Sequence, residues 1–496
     1  MNWYLVWIVG FLLLLFAVSV RSAQTVKTAD DYAMADFRLG FFPICGSVIA
    51  TVTGSAALIG GAGQGFQLGI SYFITVLAFT GFTVVAVLVL GPTIRALRLY
   101  TVPELFARRF GKLSALVPAL IIGFLYMTPT FGMQLVGMSS ILSSITDLPV
   151  LWGIVLGFAV TLAFTMIGGM PSVAWTDTVQ TVVIVAGVLL MLVLGVNYVG
   201  GPEAVVGSTP EHLLSFGSIG FTELLNWFLI FGPFYIVWQT TWQRLTAART
   251  TRTGISAVVV GFLISGLIAL FAILIGITAV QAFPEGTDPD AIYTSFVAEV
   301  FPGSIGGLLM VSLLAALLTG ATSFLLSGAI NISKDIYQGW VNPAADDTRI
   351  LRVSRLSVGF MAVLGLVIAL WVEDIIAIYQ VALSFTAAAL VAPVLAAMFW
   401  ERATKAGVLA STIGALAATL LWRLAGQPFG LHEIAPGLVA SAVLLVAVSL
   451  LTPHAPDEQV TAYVREFRAG RLRAAAAPAE RTGAPDLAAV RRPEAD

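Results

Sequence analysis

Windows of about 20 predominantly apolar residues recur along nearly the whole chain, near 2–20, 40–66, 70–94, 113–143, 150–168, 175–198, 221–243, 254–283, 303–333, 351–372, 376–400, 406–424 and 434–452. The hydrocarbon core of a bilayer is about 30 Å thick and takes about 20 residues of helix to cross. Within it every backbone polar group needs a partner from the chain itself, which leaves helices and closed barrels as the spanning structures. Windows of this length are helical, so the sequence predicts an all-α integral membrane protein of about thirteen transmembrane helices. Only 10% of the 496 residues are charged, against about 25% in soluble domains. A mean hydropathy of +0.95 leaves too few polar residues to cover a soluble globule.

Charge in the connecting segments orients these spans. Arg21, Lys27 and Arg38 follow the first, Arg95, Arg98, Arg108, Arg109 and Lys112 the third, and Arg244, Arg249 and Arg252 the seventh. Arg349, Arg352 and Arg355 precede the tenth, and Arg402 and Lys405 follow the eleventh. The intervening loops are acidic, with Glu203 and Glu211, then Glu285, Asp288 and Asp290, then Glu373 and Asp374. Every second loop is basic, which by the positive-inside tendency places the N-terminus outside and the C-terminus in the cytoplasm of a cell (inner) membrane protein. The first span has no basic residue ahead of it, so it reads as a retained, peripheral helix rather than a cleaved signal. Residues 453–496 turn to Ala, Pro, Arg and Glu and read as a disordered cytoplasmic tail behind a 1–452 transmembrane domain.

Two spans carry signs of a break at mid-membrane. One is Cys45-Gly46-Ser47 through Thr53-Gly54-Ser55, followed by Gly60, Gly61, Gly63 and Gly65; the other is Phe231-Gly232-Pro233-Phe234-Tyr235. Proline inside a helix removes a hydrogen bond and frees a carbonyl. The two breaks lie in spans of opposite direction with four spans between them, the relation expected of the opening helices of two inverted five-helix repeats. Glycine also serves close helix packing, the competing reading of each break taken alone.

Asp177 stands where the apolar run toward Leu194 begins, in Trp175-Thr176-Asp177-Thr178-Val179-Gln180 after Gly168-Gly169. A carboxylate in a membrane-length helix needs a compensating positive charge, which makes a cation its natural partner. An acid in the first turn of a helix also favours the dipole, so a helix-start role is the alternative. Other function classes find no support. A net charge of −2 offers no basic face for nucleic acid, and the lone Cys45 cannot build a disulfide framework. His212, His432 and His454 have no ligand spacing, and Gly61-Ala62-Gly63-Gln64-Gly65 lacks the strand and the Gly-Lys-Ser/Thr of a nucleotide loop. Neither an enzyme nor an organic cofactor site is expected.

The segment Trp175 to Gln180 after two glycines resembles the signature of the sodium:solute symporter family. Further segments are similar to that family in the same order: Gly60 to Ser71, Trp242-Gln243-Arg244-Leu245-Thr246-Ala247-Ala248-Arg249, Leu314 to Tyr337, and Phe399 to Gly407. The resemblance spans nearly all of 1–452 and implies a LeuT-type core of two inverted repeats over about 40–400, with two further spans over 406–452. It implies one sodium held by the carbonyls of Ala50, Thr53 and Ala316 and the hydroxyl of Thr319, where Gly320 lacks the family's second hydroxyl and Val52 replaces an acidic residue of proline-carrying members. It also implies a second sodium near Asp177, Thr322 and Ser323; Thr319, Thr322 and Ser323 share one helix face. Candidate solute contacts are Thr53, Ser55, Gln134, Phe231, Tyr235, Gln239 and Ser384. Ala56 and Ala57 stand where sugar-carrying members are polar, which disfavours a hexose. No span carries a mid-depth Lys, Arg or Glu by this reading, so a small neutral, zwitterionic or monocarboxylate solute fits best.

The function expected is secondary-active import of a small organic solute from across the lipid bilayer, with sodium as coupling ion and alternating access. The alternatives are proton-coupled or uncoupled transport and a membrane-embedded sensory input module; no segment of the sequence identifies an accessory subunit.

Overall fold

The computed structural model describes residues 3–146, 148–371 and 375–453. The loop acids Glu373 and Asp374, His454 and the tail expected to be disordered lie outside the described residues, apart from Pro453. Among the described residues the architecture is helical, and the one bridge is the isolated parallel pair Leu39–Ala248.

The helices used below are α1 (Trp3–Ala23), α2 (Phe41–Val52), α3 (Ser55–Leu68), α4 (Phe73–Ala96), α5 (Lys112–Ile145), α6 (Val150–Tyr198), α7 (Phe221–Phe231), α8 (Gln239–Ala247), α9 (Thr251–Ala279), α10 (Gly303–Val341), α11 (Asp347–Ala369), α12 (Ile375–Phe399), α13 (Lys405–Leu424) and α14 (Ile434–Leu451). Among the described residues eleven helices are long and apolar enough to cross a membrane, where the hydropathy windows give about thirteen. The difference arises at two places where helices run into one another. Ser55–Ala96 is 42 residues long and Val150–Tyr198 is 49, each more than one crossing needs, and each contains a glycine in the left-handed half of backbone space. At Gly169 the φ angle is 53°, and a Cβ would lie 2.5 Å from the carbonyl oxygen of Tyr32, so only glycine makes this corner.

Both expected breaks exist. α2 ends at Val52, Thr53 and Gly54 leave the helical region, and α3 restarts at Ser55. α7 ends at Gly232–Pro233, a single turn (Phe234–Val237) follows, Trp238 is extended (φ −65°, ψ 103°), and α8 begins at Gln239. The two broken helices are tied at one end: Leu39 N–H donates to the Ala247 carbonyl at 3.0 Å and Arg249 N–H to the Leu39 carbonyl at 2.9 Å.

α10 is the central post. Leu309 through Asn331 are all buried, and it packs on α5, α6 and α11 and against α2. α1 lies on the flank, burying only Ile8, Phe11, Leu15 and Ser19 against α6 and α10, with Ser172 Oγ donating to Ser19 Oγ at 2.7 Å. α13 and α14 pair with each other and with α12, away from the breaks.

Candidate functional site

The last four carbonyls of an α-helix have no partner within it. α2 ends in the protein interior, so its terminal carbonyls must be met from elsewhere. The Ile49 carbonyl accepts Thr53 N–H at 3.0 Å and the Thr53 hydroxyl at 2.7 Å. The Ala50 carbonyl is met from α10, where Thr319 Oγ1 lies 2.8 Å from it and 2.8 Å from the Ala316 carbonyl. The Thr53 hydroxyl also lies 3.4 Å from the Ala50 carbonyl, and the Thr319 proton serves one of its two acceptors at a time, so three oxygens converge with one short donor among them. Such a cluster suits a hard cation. Ala50, Ala316 and Thr319, the set implied by the family resemblance, are thus brought together, with Thr53 in the break beside them.

Gly320 faces Gln134 of α5. A Cβ at Gly320 would lie 3.0 Å from Gln134 Cδ and 3.3 Å from Oε1, and one at Gly54 would lie 3.1 Å from Nε2. The amide is therefore wedged between the first break and α10, and its Oε1 accepts Ser55 N–H at 3.0 Å, capping the start of α3. The missing hydroxyl at Gly320 has a steric counterpart: the space beside that glycine is taken by a polar side chain from a third helix.

At Asp177 the structure departs from the sequence expectation. Asp177 is fully buried, two turns past the corner at Gly169, so a first-turn helix role does not apply. Its Oδ2 accepts from Ser47 Oγ at 2.5 Å and lies 3.8 Å from Arg244 Nη2. Arg244 is 2% exposed, and its Nε and Nη2 donate to Ser47 Oγ at 3.1 and 3.0 Å. The same Nη2 donates to Ser323 Oγ at 2.6 Å and to Thr51 Oγ1 at 3.3 Å, and those two hydroxyls lie 2.9 Å apart. The cation facing Asp177 is therefore a guanidinium from the same chain.

Two expectations are corrected here. Arg244 is not a loop residue and contradicts the absence of a buried basic side chain, because α8 continues the seventh span as far as Ala247. The three hydroxyls of α10 do not face Asp177 as a set either. Thr319 turns to the Ala50 carbonyl, Thr322 donates to the Thr319 carbonyl at 3.1 Å, and only Ser323 reaches the Arg244–Asp177 pair. Ser47 and Thr51, four residues apart on one face of α2, supply the other hydroxyls; that spacing opposite a buried acid was the available signal for them.

Beside the first break lies a small cavity of ≈ 30 Å³, room for about two water molecules. Tyr72, Phe79, Phe231, Tyr235 and Tyr379 form its aromatic wall, and Val52, Ala56, Ala57 and Gly61 face it from the first broken helix. Tyr235 and Tyr379 hydroxyls are 3.4 Å apart. Of the candidate solute contacts, Phe231 and Tyr235 line this cavity, while Thr53, Ser55 and Gln134 stand at the break. Ser55 Oγ is buried with no hydrogen-bond partner. Ser384 does not line it; its hydroxyl donates to the Gln380 carbonyl at 2.7 Å. Gln239 is also elsewhere, donating to Asn331 Oδ1 at 2.6 Å and Ser327 Oγ at 3.0 Å, with Asn331 Nδ2 in turn 3.0 Å from Asp335 Oδ2. Tyr72, Phe79 and Tyr379 were not foreseen, because buried aromatics in membrane spans carry no pattern that separates lining from packing.

Comparison with known proteins gives this geometry a context. The model of the sodium:solute symporter family matches residues 32–415. The high-affinity proline transporter PutP of Bacillus subtilis (strain 168) is 26% identical over 462 residues, covering 88% of this chain and 96% of the relative. The osmoregulated proline transporter OpuE of the same organism is 28% identical, covering 86% and 90%. Among solved structures, a Na+-coupled sialic acid symporter in a substrate-bound outward-open state aligns with a TM-score of 0.80 at 18% identity, over 92% of this chain and 99% of that one.

Proposed function

Because the chain belongs to the sodium:solute symporter family, and is a multi-pass membrane protein of LeuT-type fold that carries a small solute together with sodium, we propose that its coupling ion sits between the Ala50 and Ala316 carbonyls and the Thr319 hydroxyl. The observation that carries this reading is the Thr319 hydroxyl shared at 2.8 Å by two carbonyls, one of which, that of Ala50, lies in the last turn of α2 where carbonyls lack intrahelical partners. The solute's place is the aromatic cavity on the other side of the same break. Entry of the ion draws α2 and α10 together, and this fixes the start of α3, whose residues Ala56, Ala57 and Gly61 face the solute. With the basic loops in the cytoplasm, the N-terminus is outside, and the solute and ion move inward across the cell membrane.

The solute is a small carboxylate with an apolar body, either a monocarboxylate or a zwitterion. The positive end of the α3 dipole opens at Ser55 beside the cavity, and half-helix starts of this kind favour anionic groups. The aromatic wall suits an apolar body, and a cationic amine would meet ring faces rather than a carboxylate. Val52 lines the cavity, which removes the acidic partner expected for proline carriers, whereas the relatives named above are proline transporters. Ala56 and Ala57 offer nothing to sugar hydroxyls. A cavity of ≈ 30 Å³ holds no such solute as it stands, so binding requires the aromatic wall to move apart.

The test is uptake of a labelled panel by proteoliposomes containing the purified protein, with proline, short monocarboxylates, glucose and neutral polyols as members. A carboxylate-bearing member is expected to accumulate under an inward sodium gradient and to fail to do so when sodium is replaced by potassium. Accumulation of glucose or a polyol alone would contradict the assigned solute class.

A further inference from the structure

α7, the first half of the second broken helix, carries Phe231 into the aromatic wall of the cavity, and α12 carries Tyr379. The two rings are 5.9 Å apart, so parting the wall means moving one of these helices from the other. Both helices are tied to the pair α13–α14. α12 packs on α14 so closely that a Cβ on Gly437 would lie 2.8 Å from Ala388 Cβ. α7 is tied through a side-chain amide instead. Asn226, 7% exposed and just over one turn before Phe231, donates from Nδ2 to the Gly430 carbonyl at 2.8 Å. Its Oδ1 accepts His432 N–H at 2.9 Å. Both polar ends of the amide thus hold the segment that joins α13 to α14.

That segment is firmly built. Glu433, fully buried, accepts from Arg423 Nη1 at 2.8 Å and from the Gln427 amide, with His432 Nε2 3.4 Å away. Trp422 Nε1 donates to the Leu431 carbonyl at 2.8 Å. Gln427 and Phe429 have φ angles of 54° and 61°, which residues other than glycine keep only where their surroundings enforce it. Residues Trp422 to Glu433 follow position 415, where the match to the family model ends.

We propose that Asn226 is a positioning residue that pins α7 to the α13–α14 connection and keeps the aromatic wall closed until its two hydrogen bonds break. The proposal rests on the aromatic cavity being the solute's place only for what the opening admits. α12 stays with α14 through close packing, and α7 is the helix that swings away. An amide that opens toward water exchanges its partners without being left unpaired, so this contact can break and re-form within a transport cycle. Weakening the pin therefore raises the population of the open wall.

The experiment reads the wall without any solute. Ala56 faces the cavity, and Ala56→Cys in a Cys45→Ala background gives a single thiol there. Its rate of modification by a charged methanethiosulfonate is followed on the full-length protein in detergent. Adding Asn226→Ala is expected to raise that rate about tenfold or more. Glu433→Gln, which loosens the connection and leaves Asn226 in place, should raise it too, and should add nothing once Asn226→Ala is present. An unchanged rate in Asn226→Ala, or effects that multiply, would overturn the proposal. Cys45, buried in α2, is the control in protein that keeps Ala56. Asn226→Ala should leave its modification rate at the native value; an equal acceleration there would mean general loosening and overturn the pin. Should Asn226→Ala not fold, Arg423→Gln decides, because that side chain is 45% exposed. Faster modification at position 56 is then expected, and the native rate would overturn the proposal. Failure of the solute assignment shows separately, in the uptake panel, and leaves these rates unaltered.

Discussion

Asp177→Asn is expected to destabilise the protein by about 3–5 kcal/mol, the usual cost of removing one partner from a buried ion pair. Asparagine keeps the size of the side chain and can still accept the Ser47 hydroxyl, but it leaves the Arg244 guanidinium buried without its counter-charge. The double variant Asp177→Asn/Arg244→Gln removes both charges and should lose less than Asp177→Asn alone, because neutral hydrogen-bonded amides are easier to bury than a lone cation. The measurement is the fraction of protein that stays monodisperse after a heat challenge in detergent. Additive losses in the double variant, or an Asp177→Asn protein as stable as the native one, would mean that the pair at 3.8 Å carries no coupling.

The second large effect is expected at Gly276. There α9 crosses α3 so closely that a Cβ on Gly276 would lie 2.0 Å from the Ala62 carbonyl oxygen and 2.8 Å from Phe66 N, while a Cβ on Gly65 would lie 2.4 Å from the Ile273 carbonyl oxygen. Both obstacles are backbone, so a side chain cannot turn aside. Overpacking of this kind costs about 1–3 kcal/mol and sometimes more. α3 carries one side of the solute cavity, so even folded Gly276→Ala protein should lose tenfold or more of its transport rate. Gly359→Ala is the control: nothing lies within 4 Å of its Cβ position, and in mid-helix it should be neutral or slightly stabilising. Equal behaviour of the two variants would contradict the close crossing.

The spans were legible because a bilayer imposes a length and a polarity that no other solvent does. The break at Gly232-Pro233 was legible for the same local reason, since proline cannot continue the hydrogen-bond ladder, whereas the extended residue at Trp238 has no marker in its own sequence. That second irregularity carries the helix on to Ala247 and turns Arg244 from an apparent loop residue into a buried one. The oxygens of Ala50 and Ala316 could be reached only through family resemblance, because backbone carbonyls leave no trace in residue type. Helical spacing placed Thr319, Thr322 and Ser323 on one face, but that face is broad. Three different neighbours divide it: the end of α2, the helix's own carbonyl and Arg244. Spacing tells which residues share a side and is silent on what stands opposite. Gln134 shows the same limit from the other direction, being identifiable as a polar residue in a span but not as the group that fills the space beside Gly320.

In the proposed mechanism sodium couples to the solute through the shared hydroxyl of Thr319. The deciding quantity is the sodium concentration that gives half-maximal uptake in proteoliposomes, compared between the native protein and Thr319→Ala. Alanine removes one oxygen ligand and leaves the Ala50 and Ala316 carbonyls in place, so the half-maximal concentration should rise by tenfold or more, a loss of about 1.4 kcal/mol. A Thr319→Ala protein that is folded, transports its solute and shows the native sodium dependence would contradict the claim and move the coupling ion away from this break.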